Sequence, residues 1–343
     1  MINKFPNDQF PMRPFGHWSF GHLTVIGIWA LAFCVFGCDR SPEVVLYTSV
    51  DQPYAQPIVQ EFENETGIRV RLVTDTEASK SVGLAERLRA EKGNPQCDVW
   101  WGNEPFHTIH LADEGLLQPY ESPSVKGIDP MYLDPEHRWA GNGLRARVMA
   151  GYDMDAPGYR LSLEDLLKQS PGMIAMARPT AGTTGGHVAA LYVLWGDQRA
   201  DAFFSKLHER GIKLLGGNGP VADAVGKGTC ELGLTDNDDV ASAQREGGHL
   251  IAFLPDQDGQ GTLMLPTTVG LVTGAKQSAA AKKLIDYLLS AKVEQALLHA
   301  KFAGWSVRGS ADVKAMQVDY LQVARVMPQA VRRATAILEG RSE

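Results

Sequence analysis

From residue 44 the chain alternates β-branched runs with helix-patterned ones, and this order restricts the fold more than any other feature. "VVLYTSV" (44–50) has the composition of a buried strand. "PIVQEFENETG" follows, helical from about Pro57, with Pro in its first turn and Gly67 at its end. "IRVRLVTD" (68–75) is a second strand. "SKSVGLAERLRAEKGN" places Val82, Ala85 and Leu88 on one helical face and stops at Gly93. "CDVWWG" (97–102) and "PFHTIHLADEG" (105–115) complete three strand–helix pairs. That order implies a mostly parallel sheet with helices on both faces.

A similar unit restarts after Tyr159. Ser162 and Asp165 open a helix with a capping-box pattern. The strands "GMIAMARP", "IKLLGG", "CELGLT" and "LIAFLP" then alternate with helical segments. A late β-rich run, "TLMLPTTVGLVTGA", and the helical "SAAAKKLIDYLLSAKVEQALLHAKFAG" read as a return to the first unit.

The first residues stand apart. Lys4, Arg13, His17 and His22 precede an uncharged apolar run from Leu23 to Gly37, the pattern of an export signal. Its end, "VFGC", resembles a bacterial lipoprotein signal, with Cys38 as the lipid-modified residue; the alternative is an ordinary exported chain. Met12 serves equally well as a start. Of four cysteines, Cys97 and Cys230 remain beyond the leader. Both read as buried small hydrophobes, and the absence of CxxC gives no support to a zinc or redox site. The net charge of −7 becomes −8 without the leader, which argues against a phosphate-backbone binder.

In an open parallel sheet ligands bind outside the carboxyl ends of the strands. The loops there carry Asp51 and Gln52; Asp75 and Glu77; Asn103 and Glu104; Thr183, Thr184 and Gly185 in "GTTGG"; and Asp236, Asn237, Asp238 and Asp239 in "TDNDD". Two chemistries compete within them. "GTTGG" before a helix suits an anion, whereas converging carboxylates suit a hard cation or an amine. Helix capping explains any single Asp equally well. Little positive charge lies near "TDNDD" in the sequence, so its acids read as open to a ligand. Among the aromatics, Tyr47, Tyr54, Trp100, Trp101 and Phe106 either wall a cleft or fill the core. His107, His110 and His187 have no HExxH-type spacing.

"VVLYTSVDQPYAQPIVQEFENETGIRVRLV", "AERLRAEKGNPQCDVWWGNEPFHTIHLADEGLLQPYESP" and "GTLMLPTTVGLVTGAKQSAAAKKLIDYLLS" resemble the periplasmic solute-binding proteins of bacterial ABC importers, in particular the ferric-iron-binding branch. The resemblance implies an α/β, two-lobed type II periplasmic-binding-protein fold with a ligand cleft between the lobes. It places a signal peptide at 1–38, lobe 1 at 39–145 and 263–305, lobe 2 at 146–262, and helices at 306–343. It implies no catalysis, a periplasmic and lipid-anchored monomer, and an ABC permease and ATPase as partners.

The branch's two adjacent Tyr ligands correspond here to Asp238 and Asp239, and its first-loop ligand to Asp51 or Gln52. Glu77 or Glu104 would add an acidic ligand. The implied cargo is Fe(III), with or without a synergistic anion, and the implied cofactor is none. The alternatives are a small organic solute such as a phosphonate, a thiamine-like compound or a polyamine; a sensor that hands its closed form to a receptor; and a metal-assisted hydrolase using the same carboxylates.

Overall fold

The computed structural model describes residues 43–75, 82–152, 160–180, 182–309 and 312–341. Cys38 and Glu77 lie outside the described residues. Arg40–Glu343 forms one compact unit.

The alternation is realised as β1 (Glu43–Thr48), α1 (Gln52–Thr66), β2 (Arg69–Thr74), α2 (Val82–Ala90), β3 (Val99–Gly102) and α3 (Pro105–Asp113). The two-residue β4 (Leu117–Gln118) and the long β5 (Ala140–Tyr152) follow. The second unit supplies β6 (Ile174–Ala177), α4 (Gly182–Glu209), β7 (Lys213–Leu215), α5 (Asn218–Gly226), β8 (Leu232–Asp236), α6 (Asn237–Arg245) and β9 (Leu250–Phe253). Then come β10 (Met264–Val272), α7 (Ser278–Leu288), α8 (Ala291–His299) and α9 (Tyr320–Leu338).

Local chemistry explains most boundaries. Gly67 ends α1 at φ 69, a left-handed cap that costs a residue without Cβ little. The helix itself starts earlier than Pro57, at Gln52, because Pro53 sits in its first turn and Pro57 is accommodated within it. Ser162 and Asp165 do form a capping box, but the segment they open is a 3-10 turn of Leu163–Lys168. Gly196 (φ 73, ψ 165) breaks α4 where "VLWG" meets "DQRADAFF", so two helices are joined there by a kink.

The strands form one sheet in the order β2-β1-β3-β10-β5-β8-β6-β7, with β4 on β10 and β9 on β5. β1 pairs in parallel with both β2 and β3, and β6 in parallel with β7 and β8. β5 and β10 run antiparallel between these groups. The first part of β5, Ala140–Ala146, pairs with β10; its second part, from Arg147, pairs with β8. One strand therefore carries the chain from the first parallel group into the second.

Helices cover both faces, which gives two apolar cores. Trp100 belongs to one and Trp101 to the other, and both are fully buried. A central strand covered on both sides has no solvent face, so alternation does not decide between them. Tyr47 and Phe106 are likewise core. Cys97 and Cys230 are buried and unpaired, as expected of small hydrophobes.

Candidate functional site

The strand ends of the two parallel groups meet around β5, and its sequence "GLRARVMAGY" puts Arg145 and Arg147 on one face of a buried strand. Neither guanidinium reaches solvent: their relative exposures are 1% and 0%. Two such charges inside a protein require partners. Arg147 lies directly opposite Asp236 in the β5–β8 register, and its Nη1 donates to Asp236 Oδ1 at 2.7 Å. The same Nη1 reaches Thr183 Oγ1 and Asn218 Oδ1, each at 3.0 Å. Arg145 Nη1 donates to both oxygens of Asp238 at 2.9 Å and to Asp236 Oδ2 at 3.2 Å. Its Nη2 donates to the carbonyl of Asn103 at 2.9 Å, which ties β8 and α6 to the end of β3.

These arginines correct the expectation that little positive charge lies near "TDNDD". Burial opposes ionisation of Asp236, but Arg147, Arg145 and the Thr183 hydroxyl hold its carboxyl below the usual carboxylate range. Both of its oxygens are engaged, Oδ2 accepting from Thr183 Oγ1 at 2.6 Å and from Asn218 Nδ2 at 3.3 Å. His187 adjoins this network. Burial, with Arg147 nearby, lowers its pKa to about 3, so the ring is neutral.

The other candidates divide into structural groups and groups on a cleft. Glu104 caps α3, accepting from Phe106 N at 2.7 Å and His107 N at 3.1 Å, and meets His107 Nδ1 at 2.9 Å. Burial works against its charge, yet His107 and those backbone donors keep its carboxyl below the ordinary range. Both Glu104 oxygens are thus engaged in capping α3 and in the contact with His107. Asn237 accepts from Ala146 N at 2.7 Å and donates to Phe302 O at 3.2 Å, stitching α6 to β5. Asp75 accepts from Leu84 N at 3.1 Å at the start of α2. Asn103 accepts from Ser49 Oγ at 3.2 Å.

"GTTGG" also takes a structural role. Thr183 and Thr184 are buried and bonded into the Asn218–Asp236 network. A Cβ on Gly185 would lie 2.7 Å from the Pro179 carbonyl, and one on Gly186 2.1 Å from the Phe106 ring. These glycines let α4 approach α3 and the β6–α4 turn. This first turn of α4 is therefore a packing element before it is an anion cradle.

What remains open is a cavity of about 570 Å³ between α1 and the first turns of α5 and α6. Asp51, Tyr54, Asp238, Asp239 and Arg245 line it; Gln52, at the start of α1, is exposed. Arg245 Nη2 reaches across to Tyr54 Oη at 2.6 Å, joining α6 to α1. One oxygen each of Asp236, Asp238 and Asp239 lies within 4.8 Å of the others. The structure thus brings Asp51, Asp238 and Asp239 onto one surface. Sequence reasoning missed Arg145, Arg147, Asn218 and Arg245. The readable signal was "RAR": two charges at i and i+2 inside an apolar strand need buried partners.

Two α/β groups joined by the crossing strand β5, with a polar cleft at their strand ends, make up the described fold. The chain belongs to the bacterial extracellular solute-binding protein family, whose model matches residues 43–302. It is a solute-binding protein of the kind that serves ABC importers. It is 26% identical over 260 residues to iron uptake protein A1 of Synechocystis, covering 72% of this chain and 71% of that protein. It is 26% identical over 301 residues to a putative 2-aminoethylphosphonate-binding periplasmic protein of Salmonella typhimurium, covering 84% and 81%. The ferric binding protein of Campylobacter jejuni superposes with a TM-score of 0.76 at 21% identity, covering 86% of this chain and 99% of that one. The fold is that of the type II periplasmic binding proteins.

Proposed function

We propose that the chain captures ferric iron, as a complex with an anion, in the cleft between α1 and α6. It then delivers this cargo to an ABC permease and ATPase and performs no catalysis. In this reading it is a periplasmic monomer held to the membrane by lipid on Cys38, with lobe 1 at 39–145 and 263–305 and lobe 2 at 146–262. The observation that carries the reading is the convergence of Asp51, Asp238 and Asp239 on one cavity. Carboxylates are hard oxygen ligands. The iron-uptake relative supports the same cargo.

The arginines refine the stoichiometry. Arg145 already offsets Asp238, so Asp51 and Asp239 alone leave a trivalent ion undercompensated. An accompanying anion supplies the remaining charge, and the N-termini of α1, α5 and α6 open toward the cavity to receive it. A second reading rests on the same combination of acids and helix N-termini. It would hold the amine and the acidic group of an aminophosphonate, the ligand class of the Salmonella relative.

Thermal stability of the metal-free chain, titrated with ferric citrate and with 2-aminoethylphosphonate, separates the two. A ligand that binds only the folded state stabilises it by about 2.7 kcal/mol at a hundredfold excess over its dissociation constant. Stabilisation by ferric citrate that Asp239→Asn and Asp51→Asn abolish supports iron. Stabilisation by the aminophosphonate alone replaces iron with the organic solute, and no response to either sinks both.

A further inference from the structure

We propose that His107 and His110 form a second site, for a divalent transition-metal ion such as Cu(II), Zn(II) or Ni(II). The two residues lie three apart on α3, on one face of the helix, and both line a cavity of about 500 Å³. This cavity shares no lining residue with the acidic cleft between α1 and α6.

What singles out the pair is the hydrogen bond on the other side of each ring. The Glu104 carboxyl oxygens already accept from the backbone N–H groups of Phe106 and His107, so His107 Nδ1 is assigned as the donor in the 2.9 Å contact, and Nε2 is the ring nitrogen left over. A carbonyl can only accept, so His110 Nε2 donates to Ala324 O at 2.7 Å, and Nδ1 is the ring nitrogen left over. A carboxylate or carbonyl holding one ring N–H, with the other nitrogen left as a donor atom, is the arrangement that orients metal-binding histidines. Imidazole nitrogen suits borderline ions of the copper and zinc kind, in contrast to the oxygen-rich cleft.

The spacing is close to what such an ion requires. The ring centroids are 6.3 Å apart and the planes are inclined at 77°. Two imidazoles on one tetrahedral ion, with nitrogen about 2.0–2.1 Å from the metal, place their centroids roughly 5–5.5 Å apart. Rotation of the rings by about 1 Å at the centroid closes that gap. Local charge also favours a cation: Arg89 is bonded to both Glu86 and Glu114 at the cavity wall, leaving one net negative charge among the three. Val82, Met327 and Pro328 form the apolar remainder of the wall. Water or a small ligand in the cavity completes the coordination.

The test is Cu(II) titration of the metal-free chain followed by electron paramagnetic resonance. The expected result is one equivalent bound with hyperfine coupling to two imidazole nitrogens. His107→Gln and His110→Gln should each weaken binding at least tenfold, whereas Asp239→Asn, which tests the iron reading, should leave it unchanged. A second measurement on the unaltered chain avoids dependence on variant folding: Zn(II) should protect His107 and His110 from diethylpyrocarbonate, read by peptide mass spectrometry. Binding without nitrogen coupling, binding indifferent to both histidine variants, or no protection by Zn(II) would each overturn the site.

Discussion

Arg145 on β5 and Asp238 on α6 are 93 residues apart in sequence, yet one guanidinium nitrogen lies 2.9 Å from both oxygens of the carboxylate, with both side chains almost wholly removed from water. The pair joins the crossing strand to the acidic loop. Arg145→Ala removes the buried guanidinium that pairs with Asp238, while Asp236 keeps Arg147, and the expected loss is about 3–5 kcal/mol. Arg145→Met combined with Asp238→Leu should lose much less, because no isolated charge remains. Urea unfolding of the three proteins checks this, and equal losses in the single and double variants would show that packing, not charge, dominates.

Acidification should destabilise the fold in two windows. The His187 pKa is lowered to about 3, so below an unfolded value near 6.5 the unfolded chain takes up a proton that the folded one refuses. This contribution is intact above that value and declines as pH falls toward 3, by at most about 1.4 kcal/mol per pH unit. Asp236 is depressed from an ordinary carboxylate value, so its contribution is present above about pH 4 and is lost only below it. Unfolding free energies between pH 7 and 5 should therefore be flatter in His187→Gln than in the parent. An unchanged slope would assign the effect to other groups.

Gly186 faces Phe106 so closely that a methyl group has no room. Gly186→Ala should cost about 1–3 kcal/mol through overpacking, despite the gain in helix propensity. Phe106→Leu should relieve part of that cost in the double variant, as a thermal-melt cycle would show. If Gly186→Ala melts like the parent, α4 has slack against α3.

Tyr54 and Arg245 close the outer wall of the cleft with a 2.6 Å hydrogen bond. Arg245→Ala should change stability by only about 0.5–1.5 kcal/mol, since Arg245 is partly solvated. The larger expected effect is on ligand release, roughly a three- to tenfold faster dissociation at the loss of one such contact. Stopped-flow displacement of bound ferric complex measures it. A dissociation rate equal to the parent's would mean that α1 and α6 need no bond between them to retain cargo.

The alternation of strands and helices was readable because each element declares itself over a few residues. Gly67 and Gly93 mark stops, and Val82, Ala85 and Leu88 mark one face of α2. The loops that carry Asp51, Asn103 and Asp236–Asp239 were readable for the same reason, since a parallel sheet directs ligand loops to its strand ends. The roles within those loops were not. Glu104 and Asp239 are both acids just after a strand, yet one caps α3 in the dry interior and the other lines a cavity.

By itself, then, the sequence determined the α/β class, the helix stops and the polar loops at the strand ends, because those depend on backbone propensity and spacings of two to four residues. Only the tertiary structure decided which acids face solvent and which are neutralised. That choice depends on β5 crossing between two parallel groups and placing Arg147 opposite Asp236, 89 residues away. Ionisation and ligand access follow from the dielectric surroundings and the distance to an opposite charge, and in this chain those distances are set by strand register rather than by neighbours in sequence.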